Sequence, residues 1–296
     1  MIRRLIGMLV AGALGLSLGL AARAAEAARA AEPLQCPPDA VASGPICIDA
    51  YEASVWQVPS TNPALIKKIK LGTVTRSDLQ NSSATQLGLT DGDLATAGCA
   101  TSGTNCTNFY AVSIADVTPA SLITWFQAVA AARNSGKRLP TNQEWQAAAL
   151  GTPDPSSGTD DGSTECNIST AGATISTGRR SACVSNVSAF DMVGNVAEWV
   201  ADWIVSSING ECTASGNALF SSDLNCLSGS SVSGGSGGSS NDVTVEAGTN
   251  ALYRGGAASG STSAGGSASG TRAGVFFVDH DTPTLSRSNV GFRAAR

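Results

Sequence analysis

Asn195 and Glu198 stand three residues apart, directly after Gly194, and Asp202 follows four residues later. Oxygen ligands beside a tight turn suit a hard cation such as calcium. From Val196 onward the chain alternates strictly. Val196, Glu198, Val200 and Asp202 fall on one face of a strand, and Ala197, Trp199, Ala201 and Trp203 on the other. The tryptophan face reads as core, which turns Glu198 and Asp202 the opposite way. The same pattern also describes a half-buried strand whose polar face is simply wet. The residues alone support both readings.

Other chemistry-bearing residues are sparse. His280 is the single histidine, between Asp279 and Asp281. A hydrolytic triad could use it, but no Gly-x-Ser-x-Gly elbow is present, and one histidine does not build a usual zinc site. It reads as the tip of a polar loop. Arg254, Arg272, Arg287 and Arg293 order the carboxy-terminal loops, with Arg293 placed for packing or an ion pair on the last strand. The Gly-Gly pairs near 235 lack the Gly-Lys-Ser/Thr of a phosphate loop. Eight cysteines remain, and their spacing suits four local pairs: Cys36–Cys47, Cys99–Cys106, Cys166–Cys183 and Cys212–Cys226. Spacing alone does not decide the connectivity. None has CxxC spacing, which argues against a zinc ribbon or a thioredoxin-type site.

These residues sit in a chain of 296 residues with formal charge −5. That balance argues against nucleic-acid binding, which wants a basic face. Residues 1–24 have the layout of a secretory signal peptide: Arg3 and Arg4, an apolar run from Leu5 to Leu20, then Ala22-Arg23-Ala24. The run is short for a membrane span, and nothing after it is apolar enough to cross a bilayer. An even cysteine count behind such a leader reads as disulfides in an oxidising compartment, periplasmic or extracellular. Residues 25–43 read as a disordered, Ala-rich leader.

The folded part is then 44–296. Residues 47–56 read as a strand, and 74–108 as a surface loop pinned by Cys99 and Cys106. Thr118-Pro119 reads as the start of a helix running to Asn134. Thr141 and Glu144 fit a capping box opening a second helix through Trp145, Ala148 and Ala149. Residues 205–249 form a polar insert whose centre is nearly all Ser and Gly. Short strands follow around Leu252–Gly256, Ala273–Val278 and Asn289–Arg293. Two helices, short mixed strands and long loops make one α+β domain.

Four signatures occur in order: Gly136-Lys137-Arg138-Leu139-Pro140-Thr141 with Glu144-Trp145; Asp191-Met192-Val193-Gly194-Asn195-Val196 with Glu198-Trp199; Arg254-Gly255-Gly256; and Gly291-Phe292-Arg293. Together they resemble the sulfatase-modifying factor family, the formylglycine-generating enzyme domain. The resemblance covers residues 116–296, and more weakly 44–60. It implies a fold related to C-type lectins, with little regular structure. It also implies oxidation of a sulfatase cysteine through copper held by two thiolates between the last two motifs. Residues 254–293 contain no cysteine, and copper(I) wants soft ligands, so no copper is expected. The resemblance places calcium at Asn195 and Glu198 with the Val196 carbonyl, and a second calcium at Asn167 and Ile168. The second site's downstream Asp has no counterpart between Ser176 and Val184. The carboxy-terminal segment also resembles lectin-fold display domains, whose ligand face would here be Ser259, Ser261, Ser263, Asp279, His280, Asp281 and Arg287.

The expectation is therefore an exported, disulfide-stabilised, non-catalytic domain. It would bind a protein or polymer ligand outside the cytoplasm through its carboxy-terminal loop face. The alternatives are an enzyme of the same family with oxidative chemistry, or a structural envelope protein.

Overall fold

A computed structural model describes residues 34–154, 158–205, 249–259, 269–270 and 273–296. Residues 36–296 make one folded unit. The expected signal peptide, the interior of the Ser/Gly insert, Cys212, Cys226, Ser261 and Ser263 lie outside the described residues.

The described strands form three small sheets. β1 (Ala40–Ser43) and β2 (Ile46–Asp49) make a hairpin. β3 (Ala53–Gln57) lies between β4 (Thr85–Leu87) and β5 (Phe109–Ser113), antiparallel to both. The third sheet has the order β8-β7-β6-β9, built from β6 (Ala197–Val205), β7 (Thr249–Gly255), β8 (Gly274–Asp281) and β9 (Val290–Phe292). Its one parallel pair is β6 with β9, which brings Gly291 beside Glu198. Gly291 has to be glycine there: a Cβ would sit 2.3 Å from the Ala120 carbonyl.

The leader is shorter than expected. Residues 36–43 belong to the fold, because Cys36 is bonded to Cys47 and β1 pairs with β2. A buried ion cluster secures this end. Lys137 Nζ lies 2.6 Å from both Asp39 and Asp49, and Arg296 also reaches Asp39.

Five helices are described, where the hydrophobic periodicity gives two. α1 (Pro63–Lys70) lies in a stretch given no element, and α2 (Arg76–Gln80), α3 (Asp93–Thr96) and β4 lie in the stretch expected to be surface loop. α2 and α3 are too short to display a period. Their signals are local: a Thr75–Asp78 capping box, and Asp93 accepting the amides of Gly88, Leu89 and Thr90. α4 (Trp125–Asn134) starts at Thr124, not at Thr118. Thr124 and Gln127 form a reciprocal capping box, and Leu122 just before has φ 54°, which no helix accommodates. α5 (Asn142–Ala149) has the Thr141–Glu144 box expected of it.

The central strand departs from simple alternation, because both of its faces are covered. Trp199 is buried and donates its indole N–H to the Ile123 carbonyl, 3.1 Å. Trp203, expected in the core, is 37% exposed and meets Trp125 and Phe126 edge-on. The register shifts between Trp199 and Trp203, so the two rings do not share one environment. Glu198, expected on a wet face, is buried at the other side of the strand.

Disulfides Cys36–Cys47, Cys99–Cys106 and Cys166–Cys183 are formed as the spacing proposed.

Candidate functional site

Glu198 is the hub of a buried polar network. Its Oε1 accepts from Arg293 Nη2 at 2.6 Å, and its Oε2 accepts from Arg293 Nε at 2.7 Å. Oε2 also accepts the indole N–H of Trp145 at 2.6 Å. The arginine fork and the carboxylate therefore meet through two parallel hydrogen bonds, the strong form of this contact. The remaining Arg293 donors reach the carbonyls of Asp49 and Phe190, at 3.1 and 2.8 Å. Arg254, opposite Glu198 in β7, lays its guanidinium over the Trp145 ring at 5.1 Å.

Asn195 anchors the turn before β6 with φ 57°, a left-handed conformation that Asn tolerates better than most residues. Its Oδ1 accepts from Asn167 Nδ2 (3.1 Å) and the Ile175 amide (2.9 Å). Its Nδ2 donates to Glu52 and to the Ile175 carbonyl. The Val196 amide donates to the other oxygen of Glu52, 3.0 Å. Gly194 packs so close to the Asn167 carbonyl that a Cβ would lie 2.3 Å from it. This is why the turn needs glycine.

Three buried carboxylates, Glu52, Asp191 and Glu198, thus gather around one guanidinium. Burial, then the charges of Asp191 and Glu198, push Glu52 well above the ordinary range. Burial pushes Asp191 to about 6, against a 2.7 Å hydrogen bond from the Gly178 amide. Burial pulls Arg293 down, but the Glu198 charge and hydrogen bonds outweigh it and hold the guanidinium above its usual value. Burial lowers Arg254 to about 10.

These contacts decide how calcium would fit. A calcium ion takes six to eight oxygens. Both oxygens of Glu198 and the side-chain oxygen of Asn195 already accept from N–H donors, and Arg293 supplies the positive charge beside Glu198. At the second expected site the Ile168 carbonyl accepts the Gly270 amide, while Asn167 Oδ1 is buried without a partner. Among the described residues no group of three or more His, Cys, Asp or Glu side chains is placed to hold a metal. As arranged, Asn195 and Glu198 offer calcium no side-chain oxygen that is not already bonded to an N–H donor, whereas Asn167 Oδ1 is an uncommitted oxygen. Their order comes from hydrogen bonds and one ion pair.

The expected carboxy-terminal face is also rearranged. Asp279, His280 and Asp281 do not form a loop tip: they are the last residues of β8, each buried and paired with β7. Asp279 accepts from the Tyr253 hydroxyl at 3.0 Å and from the His280 amide at 2.8 Å. Burial raises Asp279 and lowers His280. Asp281 pairs with Arg287, which is partly exposed. Ser259 is half-buried after β7. What this end presents to solvent is Phe276, 74% exposed on β8, with Leu285 in the following turn. Alternation along β8 breaks because polar partners on β7 and Arg287 hold its end inside.

Glu52, Asp191 and Trp145 belong to the hub but carry no chemical signal in the sequence. Glu52 follows a tyrosine at the edge of an apolar strand, and only the 143-residue separation closed by Asn195 makes it functional in the network.

The chain belongs to the family of the Sulfatase-modifying factor enzyme 1-like domain, whose model matches residues 18–296. No curated protein matches the chain. Among solved structures it is similar to the Major Tropism Determinant I1 variant, at 17% identity and TM-score 0.40, covering 88% of this chain and 52% of that one. Treponema denticola variable protein 1 is 23% identical with TM-score 0.30, covering 54% of this chain and 47% of that one. CarF is 17% identical with TM-score 0.33, covering 60% of this chain and 67% of that one. The chain thus spans about half the length of the Major Tropism Determinant variant.

The copper centre implied by the family resemblance lacks its donors. All six described cysteines are disulfide-bonded, with no free thiol among the described residues. The segment from Arg254 to Arg293 contains none. Copper(I) held by two thiolates does not fit there.

Proposed function

We propose that this protein is an exported, non-catalytic member of its family that binds a partner outside the cytoplasm. The observation that carries this reading is the combination of an intact Glu198–Arg293 pair with the absence of cysteine between the Arg-Gly-Gly and Gly-Phe-Arg motifs. Three disulfides suit an oxidising compartment, and no described helix is long and apolar enough to cross a membrane. The exposed Phe276 on β8, an edge strand among the described residues, gives the carboxy-terminal end an apolar anchor of the kind that concentrates binding energy.

Two measurements test the two halves of this reading. Purified protein with copper(I), oxygen and a Cys-x-Pro-x-Arg peptide is expected to leave the cysteine unchanged by mass spectrometry. Aldehyde formation would overturn the non-catalytic assignment. Crosslinking in the cell envelope is expected to capture a partner that Phe276→Asp loses while melting normally. Identical capture by this variant would remove the face.

A further inference from the structure

A cleft of about 700 Å³ is lined by Thr118, Ser163, Thr174, Ser176, Arg179 and Arg180 among others. Among the described residues no aromatic ring lines it, and Ile175 and Ala171 are its main apolar groups. A drug-like apolar ligand would find little surface there. Hydroxyls and guanidinium groups are what it offers.

Its walls are fixed in advance. The Cys166–Cys183 disulfide closes the loop that carries them. Asn195 clamps both backbone groups of Ile175. Thr177 donates its hydroxyl to the Ile114 carbonyl at 2.7 Å and its amide to Val117. A preformed site of this kind loses less freedom when it binds.

The cations are incompletely answered. Arg180 is buried, yet its contacts with Asp160 and Asp161 are long, 3.3 and 3.9 Å. Its Nε is buried without an acceptor. The nearby acids are ionised, but most of their hydrogen bonds go to backbone amides. Asp160 accepts the amides of Gly162, Ile168, Ser169 and Thr170, which hold its carboxyl down to about 2 despite partial burial. Asp161 accepts the amides of Ser163, Thr164 and Glu165. Arg179 is largely exposed and only 3.6 Å from an equally exposed Asp116. A buried charge so loosely paired favours an added anion, and planar guanidinium groups recognise oxyanions well.

We propose that this cleft binds the oxyanion of an acidic glycan, with Arg179 and Arg180 taking the sulfate, phosphate or uronate group and the Ser and Thr hydroxyls taking the sugar. This site is independent of the carboxy-terminal face.

The test uses the full mature chain and four immobilised probes: sulfated dextran, phosphorylated dextran, oligogalacturonate and neutral dextran. Binding to at least one acidic probe and not to neutral dextran is expected, and the arm that binds names the oxyanion. Arg179→Glu, on an exposed side chain, is expected to weaken that binding about tenfold or more without changing the melting temperature. Arg180→Gln, checked for native near-UV dichroism, should weaken it likewise. Lys67→Glu places the same charge change on α1 and should leave it within about twofold, beyond ordinary salt screening. Absence of binding to every acidic probe, equal binding to neutral dextran, or equal losses from the α1 and cleft substitutions would each overturn the proposal.

Discussion

Two buried arginines, both facing carboxylates, have opposite surroundings. Arg293 meets Glu198 through two parallel contacts of 2.6 and 2.7 Å, and carbonyls take its other donors. Arg180 meets Asp160 through one contact of 3.3 Å and keeps an orphaned Nε. In the first arrangement both Glu198 oxygens and every nitrogen of the guanidinium have a partner. The second is incomplete and borders open space. An ion pair with all its hydrogen bonds satisfied behaves as scaffold. One whose acid is bonded mainly to backbone amides leaves its cation available.

The largest expected effect breaks the complete pair. Glu198→Gln removes the only carboxylate hydrogen-bonded to the buried Arg293 and should cost about 3–5 kcal/mol in urea unfolding. A loss under about 1 kcal/mol would show that Glu198 is not the hub. Next comes the frame of the incomplete pair. Replacing Cys166 and Cys183 by Ser should cost about 3 kcal/mol, the value for a loop of this length, and should abolish discrimination between acidic and neutral glycans.

The third effect has the opposite sign. The Asp191 carboxyl ionises at about 6 in the fold, against an ordinary value of 3.8. The folded state therefore holds its proton longer than the unfolded chain. Its contribution to stability falls as pH rises from about 4 to about 6 and stays lost above that. Asp191→Asn keeps an acceptor for the Gly178 amide, suits φ 56°, and removes the charge. It should stabilise the protein by about 3 kcal/mol above pH 6 and by almost nothing near pH 4. A pH-independent change would show that Asp191 does not titrate in this way.

Smaller still, Arg180→Gln should cost about 1 kcal/mol, because little hydrogen bonding is lost. A cost matching that of Glu198→Gln would erase the contrast between the two arginines. The smallest expected effect is that of calcium. With the Glu198 and Asn195 oxygens already bonded, millimolar calcium should move the melting temperature by less than about 1 °C relative to chelator. A clear rise that Glu198→Gln removes would restore the cation site.

Much of the frame was legible because its signals are local. The α5 capping box, the three described disulfides and the short strands at both ends of the third sheet were read from neighbouring residues. The start of α4 was misplaced because Thr118-Pro119 and Thr124-Gln127 both look like helix starts, and packing of Ala120 under Gly291 selects the second. The hub was half legible. Asn195 and Glu198 were marked as important, but their partners Glu52, Trp145 and Arg293 lie 53 to 143 residues away. The cleft was not legible at all, since Thr118 and Ser176 meet only through loop closure.

The sequence by itself determined the α+β class, the family motifs and the absence of cysteine between residues 254 and 293, and it suggested the local cysteine pairs. Each depends on residue identity or short spacing. Only the tertiary structure decided that Glu198 faces an arginine, that Asp279, His280 and Asp281 turn inward, and that Arg180 is left under-bonded. Alternation along a strand says that two faces differ. Whether one face, the other or both are covered depends on α4, α5 and β9, which arrive from distant parts of the chain.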